Sequence, residues 1–525
     1  MIRNAFWRGN LRRVECGRML DGNLGRKSLL LFGSTSLNTM IGMLVSLLVA
    51  RRLGPAAVGS IGFGLGVAGL VMAALLPGFG QAHLKRVAEG EDPGRCMGTM
   101  AVIQLALALP LVLAVLLVAA LTGGFASSQL TFVVVCMLAA QLVAAFADTA
   151  LRVFLGRQWV TPHALVSVGG RAVRLVATLA VLVWHPSVTW VAATYLLEPV
   201  VNLAAAAALL AGVYGIRPRA PTRASLRGYW TYARPFVLIT PLAMFQDSID
   251  RFLVGRWAGL TAAGYYHVAR SLWDALNSVL APPGLLVFTR LSALYAARSE
   301  AARAETRRFF FGALDRMLFI TVPLAFAFWA FAELLLRLLY GDGFAPAAKT
   351  LRILVLVSIV MAVVNPYTQI LYAIDRVDRL VRVNIARALV YLAALAALVP
   401  PGPELAVPTG DAGAALARLV LILFPAWVYW RWTQELVGVP FYPRVWTYIG
   451  GLALLLATHH AVLSAISGGS LVATVAAAAI ALAAYAAWLW WRHPDAPDNA
   501  RYVGALLSPG AFLDVVRGPV RHREN

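Results

Sequence analysis

The chain is 525 residues long, 60% hydrophobic and only 13% charged, with a mean hydropathy of +0.74. That composition excludes both a soluble globular protein and a disordered one. Its 45 Lys and Arg exceed its 24 Asp and Glu by 21 charges, so the placement of the basic residues decides between a nucleic-acid partner and a membrane.

About fourteen apolar stretches reach the roughly 20 residues that a bilayer crossing needs. In chain order they cover 28–50, 58–79, 98–121, 130–151, 164–184, 188–214, 235–257, 262–288, 310–335, 351–374, 381–400, 411–431, 444–466 and 469–491. The expected fold is an all-α polytopic membrane protein. With Met1 in the cytoplasm, most basic residues fall on cytoplasmic segments: Arg3 to Lys27, Arg217 to Arg234, Arg290 to Arg308, Arg376 to Arg387 and the tail after Arg492. This is the positive-inside bias, so the basicity reports orientation and nucleic acid is not the expected partner. An even number of spans leaves both termini cytoplasmic, the loop around Ser127 outside and the loop around Ser225 inside.

Residues 1–27 form a basic segment without a cleavable signal pattern, read as lying on anionic lipid. Cys16, Cys96 and Cys136 are the only cysteines, which gives no disulfide framework, and no His/Cys cluster has metal-ligand spacing. No metal, cofactor or catalytic residue is expected. In the second span Gly59, Gly62, Gly66 and Gly69 share one face, as helices that pack closely require.

The fifth span carries His163, Ser167, Arg171, Arg174 and Thr178 at spacings of three and four, hence on one helical face. Glu198-Pro199 places an acid beside a proline in the sixth span, and Pro425 is its expected counterpart in the twelfth. The seventh span bears Asp247, Asp250 and Arg251. The two carboxylates, with Glu198, are candidates for coupling a proton or cation, or else belong to an internal ion pair in which Arg251 neutralises Asp247, four residues away. Arg270 and Asp274 in the eighth span read as a structural pair, and Asn365-Pro366 with Gln369 polarises the tenth. The eleventh span repeats the fifth with Asn384, Arg387 and Tyr391.

That repetition is general. Leu48 to Gly59 reappears as Leu253 to Gly264, bringing Arg51 opposite Arg256, and Arg171 to Val183 reappears as Arg387 to Val399. The matches keep their order along the chain. Two six-span halves, 28–215 and 235–432, are expected, joined by a basic linker at 216–234 and followed by two extra spans within 433–491 and a cytoplasmic tail at 492–525. Six spans per half give both halves the same topology, related by an axis along the membrane normal. Arg171 and Arg387 then stand about 10 Å inside the bilayer at the helical rise. A charge at that depth faces a cavity or a partner. With Arg174, Asn384 and Ser167 they are expected to form a cationic chamber that takes phosphate through guanidinium forks. Snorkelling to the headgroups, or pairing with Asp148 or Glu198, is the other reading.

Leu53-Gly54-Pro55 through Gly59, Asp250-Arg251 through Gly264-Tyr265-Tyr266, Leu338 through Phe344 with Ala347-Ala348, and Gly413 through Ala417 resemble the multidrug/oligosaccharidyl-lipid/polysaccharide (MOP) flippase superfamily. Its polysaccharide, Wzx-like branch is the most similar, over about residues 25–435. The resemblance implies a V-shaped bundle that flips polyprenyl-diphosphate-linked oligosaccharides to the outer leaflet of the bacterial inner membrane by alternating access. Polysaccharide polymerase and glycosyltransferases are the implied partners beside membrane lipids. Family members often depend on lumenal arginines, but no fixed motif maps onto Arg171, Arg174 or Arg387. Two competing functions remain at this point: a multidrug or cation exporter on the same fold, which favours an acidic cavity, and a membrane glycosyl polymerase or ligase, which needs a substantial external loop.

Overall fold

A computed structural model describes residues 22–75, 78–121, 127–234, 239–280, 300–373, 377–400, 409–466, 471–493 and 495–507. The basic segment before residue 22, with Cys16, and the tail beyond residue 507 lie outside them. The described residues hold helices and no strand. All fourteen apolar stretches lie wholly or largely on helices.

The first half comprises α1 (Gly22–Leu75), α2 (Phe79–Ala88), α3 (Pro93–Leu121), α4 (Ser128–Gly156), α5 (Val160–Trp184) and α6 (Val188–Gly212). A linker helix α7 (Arg223–Ala233) leads to α8 (Ile239–Leu253), whose last turn widens into a π-helix at Val254–Ala258, and α9 (Leu260–Leu280). There follow α10 (Glu300–Ala330), α11 (Ala332–Tyr340), α12 (Ala348–Ala373), α13 (Val377–Leu398), α14 (Gly410–Leu423) and α15 (Ala426–Val437). The chain ends in α16 (Val445–Ala465), α17 (Leu471–Arg492) and α18 (Ala496–Leu507).

Ten described segments are long and apolar enough to cross a bilayer, and one of them, Leu30–Ala73, has the 44 residues of two spans. The expected spans 235–257 and 262–288 extend beyond the described residues, and their described helices, α8 and α9, together carry Asp247, Asp250, Arg251, Arg270 and Asp274. The short helices α2, α7 and α11 were not among the expected elements, because each is too brief to leave a long apolar run. Ser127 and Ser187 cap α4 and α6, accepting hydrogen bonds from the backbone N–H of Leu130 and Trp190. On the short connections, Thr222 and Ser225 form a reciprocal capping box at α7. Tyr229 of α7 hydrogen-bonds buried His83 of α2 at 3.0 Å. Burial pushes the His83 imidazole down to about 4, so it packs as a neutral ring.

The sequence repeat is carried into the packing. The part of α1 before Gly54 packs on α5 as α8 packs on α13. The pairs α5/α6 and α13/α14 correspond, as do α4/α6 and α12/α14, and α3/α4 and α10/α12. Gly54 and Gly259 hold the same unusual backbone, with φ of 78° and 90° and ψ of −177° and 168°. Only glycine adopts that conformation at little cost, which accounts for its presence in both copies of the motif. The glycine stripe after Gly54 lies against α8 and α9: a Cβ on Gly62 would stand 3.2 Å from the Cβ of His267, and one on Gly66 2.8 Å from the backbone N of Phe252. Gly59 and its repeat partner Gly264 meet backbone to backbone.

The last two spans dock on α10. His459 of α16 meets the rings of Phe326 and Trp329 edge-on, at 5.6 and 5.7 Å. At the other end of the contact, buried Asp315 accepts from Arg444 at 2.9 Å and pairs with His493 at 2.8 Å, while Tyr448 donates to its carbonyl at 3.0 Å. Arg444 also pairs with Asp495. Asp315→Ala strands buried His493 and leaves Arg444 with Asp495 as its remaining carboxylate. It is expected to lower the melting temperature of the purified protein by several degrees, read by nanoscale scanning fluorimetry; an unchanged value would mean that apolar packing alone holds α16 and α17.

Candidate functional site

A cavity of about 660 Å³ opens between α1, α4, α5 and α6 of the first half and α9 of the second. Of the α5 face read from the sequence, Arg171 and Arg174 line it. Arg171 Nε donates to Glu198 Oε1 at 2.8 Å, and Arg174 Nη1 donates to Oε2 of the same carboxylate at 2.9 Å. Arg171 Nη1 also reaches the Asn38 carbonyl at 3.3 Å, close over Gly42, whose missing side chain makes room for it. The Arg174 guanidinium lies 3.8 Å from the Tyr195 ring centre, a favourable cation–π distance, while its Nε is buried without a hydrogen bond. Ser167, one turn away, accepts from Asn38 Nδ2 at 3.4 Å, and Thr178 bonds Thr194 at 3.0 Å. One carboxylate therefore serves two guanidiniums, and the pair retains a positive excess.

The remaining polar lining is neutral or already neutralised. Gln141, Ser271 and Ser278 supply uncharged donors and acceptors. Asp148 is held by Arg152 at 2.5 Å and Asp274 by Arg270 at 3.1 Å. The cavity thus has a cationic pole at α5 and a hydroxyl- and amide-bearing wall beyond it.

Asp247 and Asp250 lie in a second cluster, at the meeting of α8, α9, α13 and α14. Asp250 is fully buried, and its Oδ2 accepts from Tyr266 at 2.6 Å, Tyr391 at 2.9 Å, Arg270 at 3.2 Å and Arg418 at 2.5 Å. Its Oδ1 accepts from the Arg251 backbone N–H at 2.8 Å. Asp247 pairs with Arg270 at 3.2 Å and Arg418 at 3.3 Å rather than with Arg251, which turns to Asp274 at 4.0 Å. Three carboxylates, Asp247, Asp250 and Asp274, balance three guanidiniums, Arg251, Arg270 and Arg418. The expected Arg270–Asp274 pair is present.

Arg418 escaped the sequence reading. Its signal was there: no other charge lies between Asp411 and Arg431, and an isolated charge inside a span normally marks a partner or a path. Arg387 and Asn384 pair with each other on α13, Nη1 to Oδ1 at 3.1 Å, and are not among the residues lining the cavity. The cavity lining brings Arg171, Arg174 and Glu198 together, while Ser167, bonded to Asn38, and Arg387 are not part of it. At the offset joining Arg171 to Arg387, Glu198 corresponds to Ala414 and Asn202 to Arg418, so the halves share a scaffold but not a charge pattern. Nor do the prolines correspond: Pro199 sits inside a continuous α6, whereas Pro425 separates α14 from α15. Arg51, the partner of Arg256 in the other repeat match, caps α11 by donating to the carbonyls of Leu339, at 2.8 Å, and Leu338.

Residues 24–295, just over half of the chain, match the family described as polysaccharide biosynthesis protein. The chain belongs to that family. No curated protein matches by sequence. Among solved structures, the lipid II flippase MurJ in an inward closed conformation aligns with a TM-score of 0.66, at 12% identity over 88% of this chain and 99% of its own. An inward-facing multidrug resistance MATE family transporter of the MOP superfamily aligns with a TM-score of 0.60, at 15% identity over 76% of this chain and 94% of its own. A MOP superfamily transporter from Pyrococcus furiosus, described as having a binding pocket of reverse polarity, gives 0.51 at 18% identity over 79% and 95%. This family member therefore has the fold of these neighbours, which are a lipid flippase and MOP superfamily transporters.

Proposed function

We propose that this protein translocates a polyprenyl-diphosphate-linked oligosaccharide from the cytoplasmic to the outer leaflet of a bacterial inner membrane, by alternating access, for surface polysaccharide synthesis. The observation that carries the reading is the shared carboxylate: Arg171 and Arg174 stand on a cavity wall with only Glu198 between them. Guanidinium forks match phosphate oxygens in a way that an ammonium cannot. On this reading the diphosphate replaces Glu198 as the partner of both arginines, and Gln141, Asp148, Ser271, Asp274 and Ser278 meet sugar hydroxyls. The polyprenyl tail stays in lipid. Asp247 and Asp250 are assigned to holding the second half together, because all their charge is matched by arginines. The glycosyltransferases and the polymerase of the same pathway are the expected partners, and both termini are assigned to the cytoplasm.

The test uses inorganic pyrophosphate on the purified protein and a fluorescent polyprenyl-diphosphate disaccharide in reconstituted vesicles. Arg171→Ala and Arg174→Ala are each expected to weaken pyrophosphate about ten-fold, equivalent to about 1.4 kcal/mol, and to abolish flipping. Lysine should restore only part of either. Glu198→Gln is expected to tighten pyrophosphate several-fold by removing the competing anion. If none of these changes binding, the arginines are a structural ion pair. Asp148 and Asp274, each about half exposed on the cavity, carry the competing reading of a cation exporter. Tetraphenylphosphonium binding lost in Asp274→Asn, with pyrophosphate unbound, would establish that reading in place of ours.

A further inference from the structure

The second half holds a groove that the transport reading does not use. It encloses about 470 Å³ where α13 faces the segment around the α14–α15 break. Two helical stripes line it: Arg379, Arg382, Val383 and Ala386 on one side, and Phe424, Val428 and Trp432, each four residues apart, on the other. The wedge has a cause in the sequence. Pro425 offers no N–H to continue α14, so the helix breaks after Leu423 and restarts at Ala426. α13 packs along α14 but not closely along α15.

The groove is graded in polarity along its length. One membrane-crossing segment begins at Arg379 and the facing one ends at Leu436, so Arg379, Arg382 and Trp432 stand near the membrane surface. Ala386 lies about 10 Å and Phe424 about 18 Å further in, at the helical rise. Around that deeper part Ile385, Leu389 and Trp427 are exposed, with no protein over them, which is how a lipid-facing surface looks. At the shallow end the Arg379 guanidinium lies 5.5 Å from the Trp432 ring centre. The carboxylate there, Glu435, is divided between Arg431 at 3.4 Å and Arg379 at 4.0 Å, leaving a cationic excess. Arg382 is exposed to the same end.

We infer that this groove binds an anionic phospholipid of the surrounding bilayer, its phosphate on Arg379 and Arg382 and one acyl chain along Val383, Ala386, Phe424 and Val428. The chemistry selects that class. A free phosphate leaves the apolar floor bare, and a zwitterionic lipid carries its own cation to the arginines. An anionic headgroup with a chain satisfies both ends, and basic pockets near the membrane surface recruit such lipids electrostatically. The groove shares no residue with the cavity at Arg171, so the inference stands independently of the substrate proposed there.

Native mass spectrometry of the purified full chain, with phosphatidylglycerol or phosphatidylcholine added, tests it. The wild type is expected to retain one more phosphatidylglycerol than the Arg379→Ala/Arg382→Ala double variant, with about ten-fold tighter binding, and to show no such difference for phosphatidylcholine. Ala386→Trp fills the groove while keeping both arginines and should cause the same loss, which guards against a misfolded double variant. Brominated phosphatidylglycerol should quench wild-type fluorescence more than that of Trp432→Phe. Equal phosphatidylglycerol retention by all variants would overturn the inference. Preferential retention of a polyprenyl phosphate at these arginines would also overturn it, assigning the groove to the substrate's path.

Discussion

Asp250→Ala is expected to yield little or no monodisperse protein on size-exclusion chromatography, the most severe effect of any single charge change in the chain. Five groups bond to this one carboxylate, four of them on Oδ2, and none of its surface is exposed. Its removal leaves Arg270 and Arg418, each about 5% exposed, with less negative charge than they carry positive. Breaking a buried pair from one side costs about 3–5 kcal/mol, because the orphaned charge has no water to turn to. That is a large part of the stability of a typical domain. Balance, rather than the pair itself, is what the fold requires. The double variant Asp250→Asn/Arg418→Gln keeps two carboxylates against two guanidiniums and is expected to melt at a higher temperature than either single change. The first half lives with the uncharged version, having Val45 and Asn202 at the matching positions. Additive losses in the double-mutant cycle would show that the two residues are not coupled and would return Asp250 to the list of candidates for ion coupling.

The all-α polytopic architecture was legible because a bilayer imposes length and apolarity on every span, and α3 to α6, α10, α12, α13, α16 and α17 follow the apolar runs. The repeat was legible from Gly54 and Gly259, whose positive φ disfavours any other residue, and from Gly59 and Gly264, where a Cβ would strike backbone. The face of α5 was legible too, since spacings of three and four fix which side chains meet. What spacing along one helix does not report is which neighbour each charge meets. Arg251 sits four residues from Asp247, yet Arg270 and Arg418 arrive from α9 and α14 to take that carboxylate. Arg387 matches Arg171 in sequence, but a counter-ion on the neighbouring helix decides the environment, and Ala414 stands where Glu198 does in the first half. The short helices α2, α7 and α11 likewise leave no apolar run long enough to be read, whereas the break at Pro425 follows from the missing N–H of proline.

Gly59→Val is expected to reduce flipping in vesicles at least ten-fold, through geometry alone. A Cβ at Gly59 falls on the carbonyl of Leu260 and 2.8 Å from the backbone N of Gly264, and one at Gly264 falls on the carbonyl of Pro55. Both obstacles are backbone, so no rotamer change relieves the clash, and close backbone approach of this kind is what small residues permit between membrane helices. The contact lies beside the two turns at Gly54 and Gly259, where the repeat-related parts of the two halves come together. The cavity at Arg171 opens deeper between the same helices. On the alternating-access proposal, rocking of the halves needs this end to close when the cavity is open at the other. Valine at position 59 holds it apart, and spin labels at exposed Arg52 and Thr261 should move apart by several ångströms in double electron–electron resonance. Gly33→Ala, at an exposed helical glycine with nothing within 4 Å of a new Cβ, serves as the silent control. Native label distances together with native transport in Gly59→Val would mean that the two halves do not close through this contact, and that the glycine pair reflects packing in a single state only.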